Sequence, residues 1–74
     1  MSRLPQVTPV EMMAALKRAG FMETHQAGSH IYFKHPTRGK RTMVAMHRKD
    51  FTRALVKEII RQAGLTVEEF RKFL

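Results

Sequence analysis

Histidine is the side chain that exchanges a proton near neutral pH without special tuning, and the 74-residue chain carries four: His25, His30, His35 and His47. Metal binding and acid–base catalysis are the two chemistries to weigh. Spacing argues against the first. Five-residue steps put His25 and His30 on opposite faces of any continuous strand, and about 140° apart on a helix. Glu23 is the one carboxylate near them, no pair has zinc-like spacing, and there is no cysteine to supply a thiolate. For acid–base work His30 is the best placed. It opens an extended run directly after Gly28-Ser29, faces away from Ile31 and Phe33, and shares its face with Tyr32 and Lys34. A plain surface histidine fits the same position. Tyr32 suits either stacking on a base or covering the sheet, and His47, beside Arg48 and Lys49, suits either a phosphate contact or solvent. Serine-based nucleophilic catalysis lacks support: Ser29 adjoins His30, but no carboxylate is placed to orient the histidine and no G-x-S-x-G elbow occurs. No glycine belongs to a phosphate-loop pattern, which excludes an NTPase.

The elements that must position these residues are readable from caps and periodicity. Thr8-Pro9-Val10-Glu11 is a capping box with proline at the first helical position. It opens a helix whose apolar stripe is expected at Val10, Met13, Leu16 and Ala19, with Gly20 as its stop. Phe21–Gln26 and His30–Lys34 read as two strands of a hairpin around Ala27-Gly28-Ser29, and His35-Pro36-Thr37-Arg38-Gly39 as a second turn. Lys40–Met46 is a third strand whose inward face the alternation leaves open. A second helix is expected from Thr52 to Ala63, with Phe51 and Val56 as a staple, a core stripe of Val56, Ile59, Ile60 and Ala63, and Gly64 as its stop. Thr66-Val67-Glu68-Glu69 caps a short last helix carrying Val67, Phe70 and Leu74. The order is α-β-β-β-α plus a tail helix in a single domain, residues 1–74: an α+β unit with a three-stranded antiparallel sheet and two helices on one face. The other face of the sheet is left open.

Charge narrows the partner. Fourteen Lys and Arg against six Asp and Glu give +8. From Met1 to Phe33 the balance is three minus two, from Lys34 to Arg61 nine minus two, and from Gln62 to Leu74 two minus two. Lys34, Arg38, Lys40, Arg41, Arg48 and Lys49 thus join the helical row Arg53, Lys57 and Arg61 in one stretch, whose like charges at i, i+4 disfavour a helix. The helical row alone fits a solvated basic face equally well; with the strand and turn cations added, a phosphate-facing surface is the better reading. No apolar run is long enough for a membrane span, no leader is apparent at Met1–Val10, and the lack of cysteine suits a reducing compartment, so a cytoplasmic protein is expected.

Gly28-Ser29-His30, with Tyr32, Phe33 and Lys34-His35-Pro36 after it, resembles the HicA family, the small mRNA interferases of bacterial HicA–HicB toxin–antitoxin pairs. The likeness extends to Leu16-Lys17-Arg18-Ala19-Gly20-Phe21, to Val44-Ala45-Met46-His47, and to Ile59–Thr66 with Glu69-Phe70. It departs at Ala45, where the family often has proline, and at Thr52–Leu55. The resemblance implies a double-stranded-RNA-binding-domain-like fold, metal-independent cleavage of mRNA without a cofactor, a HicB-like antitoxin as partner, and His30 as the catalytic histidine. On that reading His30 is the general base on a ribose 2′-hydroxyl. Lys34, Arg38, Arg41, Arg48, Lys49 and Arg53 hold phosphates, and Tyr32 meets RNA. A non-catalytic RNA-binding module of the same shape is the alternative, and a DNA-binding or ribosome-associated basic protein a third.

Overall fold

The structure, a computed structural model, describes Leu4, residues 6–46 and residues 51–74. In chain order the elements are α1 (Pro9–Arg18), β1 (Met22–Ala27), β2 (His30–Lys34), β3 (Arg41–Ala45), α2 (Arg53–Gln62) and α3 (Val67–Arg71). The strands form an antiparallel meander in the order β1-β2-β3. The helices cover one face, which is the expected α+β, dsRBD-like layout.

Each helix starts where its side chains can satisfy the free N–H groups of its first turn. The Thr8 hydroxyl accepts from Glu11 N–H and the Glu11 carboxylate accepts from Thr8 N–H, and Thr66 and Glu69 repeat the arrangement. Thr52 caps α2 alone, through Leu55 N–H. Gly20 and Gly64 follow the helix ends at φ of +99° and +73°, in the left-handed region that favours glycine.

The core joins Met12, Ala15 and Leu16 of α1 to Ile31 and Phe33 of β2, Val44 of β3, Val56, Ile59 and Ile60 of α2, and Phe70 of α3. The expected α2 stripe is buried in full, Ala63 included. The α1 stripe is corrected at Val10. Of the expected residues, Leu16 is buried and Met13 and Ala19 pack partly buried against the core, but Val10 is 60% exposed, and Met12 and Ala15 are the residues fully buried beside Leu16. At 100° per residue Val10 stands roughly 160° around the helix from Met12, on the far side. The tail is corrected as well. Phe70 is fully buried, but Phe73 packs beside it and Leu74 is 47% exposed. Beyond Arg71 the backbone bonds run from i+3 to i, from Phe73 to Phe70 and from Leu74 to Arg71. Three residues per turn place Phe73, not Leu74, under Phe70.

On β3 the inward residues are Thr42 and Val44. Thr42 is the one buried polar side chain among the described residues, and its hydroxyl donates to Gln62 Oε1 at 2.9 Å, which ties β3 to α2. All six residues of β1 are exposed, so this strand overhangs the helix layer.

Candidate functional site

His30 is placed by the hairpin turn. Gly28 takes its first central position at φ +61° and Ser29 its second, the arrangement of a type II′ turn, and Ala27 pairs with His30. Burial of Ile31 and Phe33 then fixes the register, because a one-residue slip would carry both into water. His30, Tyr32 and Lys34 are left on the open face, as the alternation predicts.

Cross-strand pairing fills that face with three rows. Ala27, His30 and Ala45 form the first, His25, Tyr32 and Met43 the second, and Met22, Lys34 and Arg41 the third. From His30 to Lys34 the face runs about 13–14 Å at ~3.4 Å per residue. A shallow hollow lies beside Thr24, His25, Tyr32, Lys34 and Arg41. Lys34 and Arg41 are direct partners across the sheet, both exposed. Like charges in that position oppose folding, so their juxtaposition has no structural benefit.

His25 joins His30 on this face, against the expectation drawn from a continuous strand. The two lie on different strands of a hairpin, and partners across a hairpin share a face. Ala27 pairs with His30, Gln26 with Ile31 and His25 with Tyr32, so the numbers of each pair sum to 57. Once the turn is set at Gly28-Ser29, that arithmetic would have placed His25 opposite Tyr32. The two rings stack, with centroids 4.3 Å apart and planes 7° from parallel.

Beyond His25 the register shifts at a β-bulge, with Glu23 pairing Phe33 and Met22 pairing Lys34. Without the extra residue, Glu23 would stand opposite Lys34 on the open face. The bulge sends it to the other side and brings in Met22, 61% exposed. Among the described residues the open face therefore bears no carboxylate. It offers imidazoles, a phenol, two cations and exposed methionines, a surface suited to a polyanion with stackable bases.

The remaining expected residues lie elsewhere. Arg38, in the β2–β3 turn, donates to the carbonyl of Gly64 at 3.2 Å and so ties that turn to the end of α2. Arg53 occupies the first position of α2, in the helix layer, exposed and with no acidic residue in that turn. Arg48, Lys49 and His47 lie outside the described residues. Met46, the last described residue before them, donates its N–H to the Ser29 carbonyl at 2.8 Å. Arg61 is engaged by Glu58, and the contact raises the Arg61 pKa and lowers that of Glu58.

His35 is a structural histidine. Its Nδ1 accepts from the N–H groups of Thr37 and Arg38 at 3.3 and 3.2 Å, and its ring meets Phe21 edge-on at 5.2 Å. No group of three or more His, Asp or Glu side chains among the described residues converges as a metal site would, and no helix among them is long and apolar enough to cross a membrane.

A family model described as the HicA toxin of bacterial toxin–antitoxin systems matches residues 10–65. The chain belongs to the HicA toxin family. No curated protein matches it. The matched span runs from α1 through Leu65, so it contains the sheet, the hairpin turn and every described residue of the open face, while α3 lies past its end. As a toxin of such a pair, this HicA chain has an antitoxin for its partner.

Proposed function

We propose that this HicA toxin is a metal-independent endoribonuclease acting on mRNA, with His30 as the general base. The observation that carries the reading is the open sheet face itself. A solvent-accessible histidine stands on a rigid turn, two strand positions from an aromatic pair and four from two cations, with no described carboxylate on that face. His30 takes the proton of a ribose 2′-hydroxyl, which then attacks the adjoining phosphorus. The 5′-oxygen leaves, with a 2′,3′-cyclic phosphate on the other fragment. DNA lacks that hydroxyl and is not a substrate. Lys34 and Arg41 hold phosphate oxygens and offset charge that develops in the transition state. Tyr32 supplies a stacking surface. Arg48 and Lys49 add phosphate contacts, and Arg38 and Arg53, which lie off this face, hold phosphates beyond it. A HicB-like antitoxin silences the toxin by covering this face, drawn to it by charge.

Expression in cells with and without His30→Ala, paired with cleavage of RNA by the purified proteins in EDTA, tests the reading. Wild type is expected to arrest growth and cleave RNA but not the 2′-deoxy analogue. The variant is expected to bind RNA as the parent does and to cleave about 10²–10⁴-fold more slowly. Wild-type protein that binds RNA and leaves it intact would establish a binding module instead.

A further inference from the structure

Cleavage by this route needs two proton transfers, one from the 2′-hydroxyl and one to the departing 5′-oxygen. His30 performs the first. Resting on the ribonuclease reading, we infer that His25 performs the second, as general acid.

Placement is the first argument. His25 and His30 sit on neighbouring strands, one row apart along the diagonal. Such diagonal neighbours stand about 7–8 Å apart at Cα, within reach of the same groups. A base and an acid each need hydrogen-bond distance, about 2.6–3.2 Å, to the attacking and leaving oxygens, which flank one phosphorus. Two imidazoles on adjacent rows span that arrangement, whereas one histidine cannot reach both apical oxygens at once.

Orientation is the second. The His25 ring is held by its stack on Tyr32 and by Thr24, whose hydroxyl lies 3.3 Å from His25 Nδ1 and donates to the Tyr32 carbonyl at 3.3 Å. A hydroxyl that has given its proton to the carbonyl accepts from Nδ1–H, and this leaves Nε2 as the atom that carries or releases a proton toward substrate. Thr24 is the bulged residue, so the irregularity that sends Glu23 away also supplies the group that sets the His25 ring. The other ionisable groups on this face are His30 and Tyr32 beside it and Lys34 and Arg41 in the next row. Met43 of β3 lies on the far side of Tyr32 from it.

In the step, the O2′–P bond forms as the P–O5′ bond breaks. The O2′ proton passes to His30, and the electron pair of the broken bond stays on O5′, which takes the proton of the His25 imidazolium. Solvent exchange resets both rings.

The test uses full-length protein, an RNA dinucleotide, and the same dinucleotide with sulfur bridging at the 5′ position, whose thiolate leaves without a proton. His25→Ala and His25→Phe, the latter keeping an aromatic on Tyr32, are expected to cut the oxygen substrate about 10²–10⁴-fold more slowly. Both should lose the alkaline fall in the pH–rate profile and recover the wild-type rate on the sulfur substrate, while His30→Ala stays slow on both. Full activity of either His25 variant on the oxygen substrate, or a loss that persists on sulfur, overturns the assignment while leaving the ribonuclease reading intact. Wild-type protein inert toward both substrates overturns that reading and this one with it.

Discussion

Replacing Arg41 by glutamine is expected to stabilise the fold and to weaken RNA binding at once. Arg41 lies directly opposite Lys34, and no described carboxylate shares their face. Directly opposed cross-strand pairs contribute roughly 0.2–1 kcal/mol, with the sign reversed for like charges. Removing one partner should therefore recover an amount of that order, in the lower half of the range because both side chains are exposed. For a domain of this size, a gain of ~0.2–0.5 kcal/mol corresponds to about 1–4 °C in Tm. The gain should be largest at low ionic strength and shrink as salt screens the repulsion. Binding should move the other way. For every phosphate of a single-stranded ligand that the protein no longer neutralises, the slope of log K against log salt becomes shallower by about 0.7. Thermal melts at two salt concentrations and a fluorescence titration with a 2′-O-methyl oligonucleotide, which resists cleavage, read both quantities. A Tm that falls at low salt, or an affinity and salt slope that stay unchanged, would refute the argument that this pair exists for a polyanion at a structural cost.

Three further outcomes concern the fold and its caps. Gly20→Ala is expected to destabilise by at least about 1–2 kcal/mol in urea unfolding, because Gly20 sits at φ +99° and a Cβ there would come within 2.9 Å of His35 Nε2. Phe70→Ala, which empties a fully buried site under α3, is expected to cost about 3–5 kcal/mol by the same measurement. The Thr66 N–H and hydroxyl hold the Glu69 carboxylate below its ordinary pKa. A carboxyl depressed on folding adds stability above its unfolded pKa and loses it as pH falls through the folded one, so the α3 cap should loosen only on the acid side of the ordinary glutamate range. An NMR titration of Glu69 checks this, and Thr66→Ala, which keeps the backbone N–H and loses only the hydroxyl, should return the group part of the way toward its ordinary value.

What could be read from the chain divides by range. The caps at Thr8 and Thr66 are four-residue signals and appear in place, as does the α2 stripe. On β2, one buried face forces the alternation that puts His30, Tyr32 and Lys34 together. Val10 misleads because an apolar residue next to a cap looks like the start of a stripe. Leu74 misleads because the helical period tightens after Arg71. On β1, where every side chain is exposed, no hydrophobic alternation exists to read. The bulge at Thr24 has no local signature, and with it went the removal of Glu23 from the open face. The hydrogen bond from Arg38 to the Gly64 carbonyl joins residues 26 apart in the chain and leaves no pattern in either segment.

The bulge bears on more than the site. β1 is an edge strand with every side chain exposed, the kind of border on which another chain could add a strand of its own. An incoming strand needs evenly spaced donors and acceptors along its whole length. Thr24 breaks that spacing within the six residues of β1, so a regular strand can match only one stretch of it at a time. The one-residue insertion that keeps acid off the cationic face thus also makes the outer border of the sheet a poor template for self-association.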